Sequence, residues 1–491
     1  MAVKAETGAI AAHSARVAEA LDAFLAETGD ALERRPAWSA ALDRPLPAAG
    51  AGAEEVVAEL TELVIPNGAR MSDPAFWGWI TTGPTTVPTV ATLAATVAAP
   101  QRYTLTAFNL LEEVSLDWLA SLCGLPETMK GVYSSGGSVA NLVALGAARQ
   151  WALEQAGLDP AAEGLDGRQT AIYASAEAHH TIQRSAGVLG LGRRSVRAIA
   201  TDARGRMDPG ALADALERDV AEGVIPIAVV ATAGTTNTGA IDPLRAAGEL
   251  ARDHGAWFHV DGAYGLLGIL DERIAERFDG LELADSAIVD PHKWLRAPVG
   301  IGATFVRDRS ILHRAFTQEP AAYLEGAFGD PADARSSLEA MGVPYQDFAV
   351  ELSAPSRGVV VWSILRELGR DGVRRLIRDD NDLAARLAER VRADDRLELL
   401  LEPELSICCL RHRGDAVDLD AHNAALLRRL TNETPFFPSS TVVNGAFAIR
   451  PCFINARTAP EHVDAFCDAV ARIGDELAAG GPARAVRAAG A

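Results

Sequence analysis

A lysine in the motif IVDPHKW, residues 288–294, has a position that suggests chemistry. Lys293 follows a strand-like run and lies in a turn whose backbone Pro291 restricts. A lysine amine forms Schiff bases with aldehydes when its surroundings favour the uncharged form. A surface lysine in a loop is the commoner interpretation of such a residue, so this motif alone is a weak signal.

An aspartate ends the apolar run of the motif WFHVDGAY, residues 257–264. Ligands of open α/β sheets bind at the carboxyl ends of the strands, where Asp261 would lie. A carboxylate in contact with a pyridine nitrogen keeps it protonated, and the protonated ring withdraws electrons from a bound substrate. The alternative is that Asp261 caps the helix that follows, and the motif alone leaves both interpretations open.

Two glycines precede a helix-like segment in the motif YSSGGSVAN, residues 133–141. Gly136 and Gly137 would leave backbone N–H groups free at the helix start, and Ser138 adds a hydroxyl group, which together suit a phosphate. An ordinary capped turn is the alternative. The motif lacks the lysine of a nucleotide P-loop, so a nucleotide site is disfavoured.

Two adjacent histidines, His179 and His180, follow another short strand-like run. An imidazole at this place can stack on an aromatic ring. Adjacent residues of a helix point in different directions, and no H-x-x-x-H or carboxylate spacing completes a metal site. We therefore expect His179 to act as a stacking residue and the protein to hold no metal.

These motifs lie in a segment where short apolar strands alternate with helices. Near-continuous apolar runs are typical of strands buried on both faces of a mostly parallel sheet. The pattern therefore predicts a layered α/β domain. The predicted strands are 171–175, 225–232, 257–260, 286–289 and 302–306.

The length of 491 residues allows a large domain with smaller flanking parts. Helical spacing is found in residues 10–25 and 53–65, and again from 363 to 393, before strand-like runs at 405–412 and 446–453. We predict four segments: an N-terminal helical segment 1–95, a large α/β domain 96–362, a small α+β domain 363–477 and a disordered tail 478–491.

Bulk composition excludes several classes of protein. The net charge of −20 disfavours a general nucleic-acid binder, which needs clustered basic residues. The chain has no apolar run long enough to cross a membrane, and its N-terminus does not resemble a signal peptide. Its five scattered cysteines form no C-x-x-C pair, which predicts reduced thiols and a cytoplasmic protein.

Taken together, the four motifs resemble those of the fold-type I, group II pyridoxal-phosphate decarboxylases, the family of aromatic-amino-acid and glutamate decarboxylases. The combination of P-H-K-W with H-V-D-x-A-Y is highly specific for that family, and the resemblance runs from about residue 73 to residue 458. It implies an aspartate-aminotransferase-like α/β fold and the cofactor pyridoxal 5′-phosphate. It also implies a homodimer with active sites at the interface.

The resemblance also implies a role for each matching residue. Lys293 would bind the cofactor aldehyde and Asp261 its pyridine nitrogen, with Ala263 beneath the ring, His179 above it and Thr236 close to it. The phosphate would be held by Gly137, Ser138 and His292. The substrate would be held by Thr82, Trp79 and Arg450, although an ion pair within the C-terminal domain is the alternative for Arg450.

The reaction depends on what protonates the substrate carbon once the carboxylate has left. In the family a tyrosine on a mobile loop does so, and Tyr323 in EPAAYL, residues 319–324, matches it. Related aldehyde synthases have phenylalanine there, so Tyr323 favours decarboxylation. The alternatives are an aldehyde synthase, a carbon–carbon lyase or a catalytically silent scaffold that binds the cofactor.

Two positions depart from the family pattern, and the substrate is the least determined feature. Asp73 replaces a usual histidine, and Asp290 replaces an asparagine that many members have near the phosphate. An acid there either points away from the phosphate or changes its contacts. Aromatic side chains at Phe76, Trp77 and Trp79 favour an aromatic amino acid as substrate, although such residues are often plain core.

Overall fold

The computed structural model describes residues 9–27, 35–102, 107–317, 342–414 and 418–480. Within these ranges the strands form a seven-stranded and a five-stranded sheet. In chain order the strands are β1 Phe76–Trp77, β2 Lys130–Ser134, β3 Thr170–Ser175, β4 Val196–Ile199, β5 Ile225–Thr232, β6 Trp257–Asp261, β7 Ser286–Val289, β8 Gly302–Val306, β9 Leu397–Leu401, β10 Cys409–His412, β11 Phe437–Val443 and β12 Ala446–Arg450.

The seven-stranded sheet has the order β2-β8-β7-β6-β5-β3-β4. Its strands run parallel except β8, which is antiparallel to both of its neighbours. Every residue of β3, β6, β7 and β8 is buried, as in a sheet that is covered on both faces. The predicted α/β fold with a mostly parallel sheet is confirmed, and the five predicted strands are all present.

Helices cover both sheets. They are α1 Ala9–Ala26, α2 Arg35–Leu42, α3 Ala53–Glu59, α4 Thr86–Ala98, α5 Ala107–Leu122, α6 Gly137–Gln155, α7 Pro160–Glu163, α8 Thr181–Val188, α9 Pro209–Ala221, α10 Leu244–Asp253, α11 Ser310–Phe316, α12 Gly358–Arg392, α13 Leu419–Glu433 and α14 Pro460–Ala478. Helix α6 crosses the centre of the large sheet, in contact with β5, β6, β7 and β8. Buried alanines along α6 allow this close approach.

The five-stranded sheet has the order β1-β11-β12-β10-β9 and forms a second core with α13 and α14. Its edge strand β1 comes from the N-terminal part of the chain and runs parallel to β11. Helix α12 passes through the predicted domain boundary at 362/363 and is interrupted at Gly369, which has a φ of 62°. Of the tail predicted at 478–491, only residues up to 480 are described.

None of the described helices is both long and apolar enough to cross a membrane.

Candidate active site

The predicted site residues lie after the carboxyl ends of neighbouring strands of the large sheet. Asp261 is the last residue of β6, and Lys293 lies in the turn after β7. His179 follows β3, Thr236 follows β5, and the glycines at the start of α6 follow β2. Because the parallel strands end at one edge, the sheet brings these separate motifs together.

The lysine turn holds an ion pair. Lys293 Nζ lies 3.1 Å from Asp290 Oδ2, and the Lys293 N–H donates to the Asp290 carbonyl at 2.9 Å. The next residue, Trp294, anchors the turn, because its indole N–H donates to Asp380 and its ring stacks on Tyr264 at 5.0 Å. The Lys293 amine therefore projects from a turn that the contacts of Trp294 with Asp380 and Tyr264 hold in place.

The start of α6 and the lysine turn form a narrow, glycine-lined cradle. A Cβ atom on Gly137 would lie 2.6 Å from Asp290 Oδ2, and one on Gly136 would lie 3.2 Å from His292 Cε1. Gly136 also has a φ of 128°, which side chains other than glycine rarely adopt. The Asp290 carboxylate therefore lies against the first turn of α6, where a helix favours an anion, and Ser138 is exposed there.

His292 is oriented by a backbone carbonyl. Its Nδ1 lies 2.6 Å from the carbonyl oxygen of Ile301, and since a carbonyl only accepts, Nδ1 carries the proton. The opposite nitrogen, Nε2, lies 3.9 Å from Asp290 Oδ2. The imidazole thus has its second nitrogen available on the side of the cradle.

Asp261 is buried and held by two donors. Its Oδ2 accepts from Asn141 Nδ2 at 3.0 Å, and its Oδ1 accepts from the N–H of Ala263 at 3.2 Å. A carboxylate has about four acceptor positions. Asp261 can therefore accept a further proton-bearing nitrogen in addition to these two bonds.

A chain of hydrogen bonds lies behind Asp261, and the groups that can only donate or only accept fix the direction of each bond. Since the Asn141 amide must turn its NH₂ to the carboxylate, its Oδ1 faces His259 Nε2 at 2.9 Å, which must donate. Burial lowers the pKa of His259 to about 4, so the ring is neutral and its Nδ1 accepts from Ser286 Oγ at 2.8 Å. Ser286 Oγ accepts in turn from the Trp257 indole N–H at 2.7 Å.

No role in the site was predicted from the sequence for Asn141, His259 and Ser286. His259 precedes Asp261 by two positions on β6, so the two side chains share one face of the sheet, and that spacing was a usable signal. Asn141 is one of two buried polar residues of α6, with Gln150, among its buried alanines. Ser286 had no such signal, because its contact with His259 depends on the pairing of β6 with β7.

His179 belongs to the same network. Its Nδ1 lies 2.9 Å from Thr181 Oγ1, which also accepts from Asn141 Nδ2 at 3.2 Å. Burial and then the neighbouring His180 ring lower the pKa of His179, while the charge of Asp261 acts in the opposite direction. Burial and His180 therefore favour the uncharged form of the His179 imidazole.

Ala263 lies beside a small apolar cluster. It packs against Ala140 and Ala144 of α6 and Ile288 of β7.

Arg450 is held by backbone carbonyls from two other segments of the chain. It is almost fully buried, and its guanidinium donates to the backbone carbonyls of Trp79, Thr236 and Asn237. None of these partners is the acidic residue of the alternative prediction, and the predicted contact with the substrate remains a prediction. Arg450 therefore acts on the site by joining the segment of Trp79 to the loop after β5.

Trp79 is held in an unusual backbone conformation. Its φ is 54°, its N–H donates to Ser439 Oγ at 3.2 Å and its carbonyl accepts from Arg450. The indole is 55% exposed and lies 5.8 Å from the ring of Phe76 and 6.0 Å from that of Phe437. The expectation that Trp77 adds to this surface is wrong, because Trp77 is fully buried in the small core.

Thr82 is buried, and its Oγ1 has no hydrogen-bond partner among the described residues. Three positions later, the N–H of Thr85 donates to the carbonyl of Arg296 at 3.3 Å, which joins this segment to the lysine turn. An orphaned buried hydroxyl is costly unless a ligand satisfies it. Tyr323, the predicted proton donor, lies outside the described residues.

The fold and the site together define a pyridoxal-5′-phosphate enzyme of fold-type I. A family model described as the pyridoxal-dependent decarboxylase conserved domain matches residues 37–413. The chain therefore belongs to this decarboxylase family, whose members are carboxy-lyases and use pyridoxal 5′-phosphate as cofactor.

Named relatives come from several organisms. L-2,4-diaminobutyrate decarboxylase of Rhizobium meliloti is 33% identical over 444 residues, covering 88% of this chain and 84% of the relative. Aromatic-L-amino-acid decarboxylase of Bacillus atrophaeus is 30% identical over 361 residues, covering 72% and 70%. The crystal structure of Oryza sativa TDC with PLP and tryptamine superposes with a TM-score of 0.86 at 25% identity, covering 97% of this chain and 100% of that one.

The residues present fit the cofactor. Lys293 supplies an amine, Asp261 has acceptor positions left, and the start of helix α6 favours an anion. Asp290 is the exception, since it places a carboxylate where a phosphate is expected.

Proposed function

We propose that the protein decarboxylates an L-amino acid to an amine and CO₂, with aromatic amino acids as its preferred substrates. The observation that carries this proposal is the placement of Lys293 and Asp261 after neighbouring parallel strands, with a buried donor chain behind Asp261. When bound, the cofactor supplies an electron-withdrawing ring that stabilises the charge left by the departing CO₂.

The residues of the cradle and the sheet edge would bind the cofactor. Lys293 would hold the aldehyde carbon and Asp261 the proton of the ring nitrogen, with Ala263 and His179 on the two faces of the ring and Thr236 beside it. Asn141 would keep the Asp261 carboxylate in one orientation. The phosphate would be held by the backbone of Gly137, by Ser138 and by His292.

Substrate orientation would come from a second group of residues. The orphaned hydroxyl of Thr82 suits a substrate carboxylate. The half-exposed indole of Trp79, with the nearby rings of Phe76 and Phe437, offers an aromatic surface that favours a flat side chain. Arg450 would hold Trp79 in place, and Tyr323 would donate the proton that replaces the lost carboxylate.

The protein is also proposed to be a cytoplasmic homodimer. Four apolar side chains of α4, at Val87, Val90, Leu93 and Val97, are exposed on one face of the helix. Such an apolar stripe is typical of an interface. All five cysteines are buried and free, which suits a reducing compartment.

The proposed reaction is tested by incubating the cofactor-loaded protein with a panel of aromatic, basic and acidic L-amino acids. Amine and CO₂ are measured by mass spectrometry. We expect equal amounts of both from aromatic amino acids, and none from Lys293→Ala. Lys130→Ala is the matched control, because Lys130 pairs with Asp117 on the surface and should keep full activity.

Other results would lead to different conclusions. Decarboxylation of diaminobutyrate alone would contradict the aromatic preference but keep the reaction. Aldehyde formation with oxygen uptake would favour an aldehyde synthase, and we expect that outcome only in Tyr323→Phe. A protein that binds the cofactor and releases no CO₂ from any amino acid would refute the proposal.

A further inference from the structure

Asp290 places a buried negative charge inside the cradle at the start of α6. The residue is 2% exposed, and its position against the helix start is shown by the short distance that a Cβ on Gly137 would have to its Oδ2, 2.6 Å. A Cβ on Gly302, on the opposite side, would lie 2.7 Å from Oδ1 and equally close to the Gly136 backbone. The carboxylate is thus wedged between α6 and β8.

The two oxygens of this carboxylate differ in their partners. Oδ2 has two cationic or potentially cationic neighbours in the described chain, Lys293 Nζ at 3.1 Å and His292 Nε2 at 3.9 Å. Oδ1 is buried and has no hydrogen-bond partner among the described residues. Half of the carboxylate is therefore unsatisfied, in a cradle built of helix N–H groups that suit an anion.

Two consequences follow for a cofactor that carries both an aldehyde and a phosphate. Lys293 must leave its ion pair before its amine can react with the aldehyde. The phosphate would then bind in a cradle that already holds a carboxylate of the same sign, and like charges repel strongly in a protein site. Both effects act against binding.

Building on the proposed function, we propose that Asp290 sets the affinity for the cofactor by holding Lys293 in an ion pair and by repelling the phosphate. The protein accordingly binds pyridoxal 5′-phosphate weakly enough to exchange it with solution. Asp290 is a positioning residue in this account, since it acts through Lys293 and through the cradle.

The test compares cofactor affinities of the full-length protein after removal of bound cofactor. Equilibrium dialysis gives Kd values for pyridoxal 5′-phosphate and for pyridoxal, which lacks the phosphate, with the wild type, Asp290→Asn and Asp290→Ser. Glu177→Gln is the control, because it removes a negative charge from a neighbouring loop, where Glu177 accepts from Asn237 at 2.7 Å. Thermal unfolding of each cofactor-free variant checks that it is folded.

We expect Asp290→Asn to bind pyridoxal 5′-phosphate at least about tenfold more tightly than the wild type, because like charges a few ångströms apart change affinity by an order of magnitude or more. The gain for pyridoxal should be smaller, and Glu177→Gln should gain nothing. Asp290→Ser, which also lacks the charge, should reproduce the gain if Asp290→Asn is unstable.

Unchanged or weaker binding in both variants would overturn the inference. An equal gain in affinity for pyridoxal 5′-phosphate and for pyridoxal would show that Asp290 does not repel the phosphate. If the wild type and all variants bound neither ligand, the proposed function would fail instead, so the two failures can be told apart.

Discussion

The orientation of the Asp261 carboxylate depends on buried residues that lie behind it in the sheet and in α6. Trp257, Ser286, His259 and Asn141 form one chain of donors that all point towards its carboxylate. The direction is fixed because an indole only donates and a carboxylate only accepts. This chain keeps the carboxylate oriented, and it depends on a neutral His259.

The neutral state of His259 predicts a dependence of stability on pH. An unfolded histidine has a pKa near 6.5, whereas burial lowers that of His259 to about 4. Between these values the unfolded chain binds a proton that the folded chain does not, so His259 costs stability as the pH falls through this window. We expect the wild type to lose unfolding free energy relative to His259→Gln, on the order of 1 kcal/mol per pH unit.

Urea denaturation of both proteins between pH about 7 and about 5 measures this difference. Glutamine keeps one donor and one acceptor but does not titrate in this range. His313→Gln, an exposed position on α11, is the control and should run parallel to the wild type. Parallel curves for His259→Gln as well would show that folding does not shift the pKa of His259.

Among single residues, the sequence predicted the positions of those that directly follow apolar strands. Lys293, Asp261 and His179 were found because each stands beside a recognisable run. Arg450 was expected near the substrate, yet its bonds to three backbone carbonyls depend on how distant segments meet. The sequence also left open whether the Asp290 carboxylate points towards the cradle or away from it.

Among the elements, helix α6 begins at a position with no room for a side chain. A methyl group on Gly137 would lie 2.6 Å from a buried carboxylate oxygen, closer than real contacts allow. We expect Gly137→Ala to lose about 1–3 kcal/mol of unfolding free energy through this overlap, and to weaken cofactor binding. Thermal unfolding and cofactor dialysis measure the two effects.

The control for this change is Gly210→Ala at the start of α9. Gly210 also lies next to an aspartate, but a Cβ there would meet Asp208 Oδ1 at 3.2 Å on the surface. Alanine is the better helix former by up to about 1 kcal/mol, so this variant should be neutral or more stable. Equal effects at both glycines would show that the cradle has room to relax.

Elements with a strong apolar pattern were predictable, and elements defined by their neighbours were not. Strands β5, β7 and β8 begin and end where the sequence predicted. Strand β4, VRAI, is largely unburied at the edge of the sheet, so it lacks the continuous apolar run of a central strand. The four-segment division of the chain remains a prediction, because α12 runs through one boundary and β1 joins the distant small sheet.

For the whole molecule, the exposed stripe of α4 gives a test of assembly. Val90 is 60% exposed in the single chain, and a second copy would bury it. We expect Val90→Glu to shift the sedimentation coefficient from that of a dimer to that of a monomer, because an unpaired charge in an apolar interface is costly. Val188→Glu, equally exposed on α8, should stay dimeric.

A wild type that sediments as a monomer would contradict the proposed dimer directly. A dimer that persists in Val90→Glu would place the interface elsewhere and leave the stripe of α4 unexplained.

The pairing of β1 with β11 bears on how the protein is made. The chain leaves the ribosome from its N-terminus, so β1 is synthesised long before its partner. Trp77, which belongs to β1, donates to Thr458 at a separation of 381 positions, and its indole fills the core of the small unit. Closing such a long loop is slow. We therefore expect the small sheet, and the backbone of Trp79 beside it, to form last. A chain truncated before β11 would have neither.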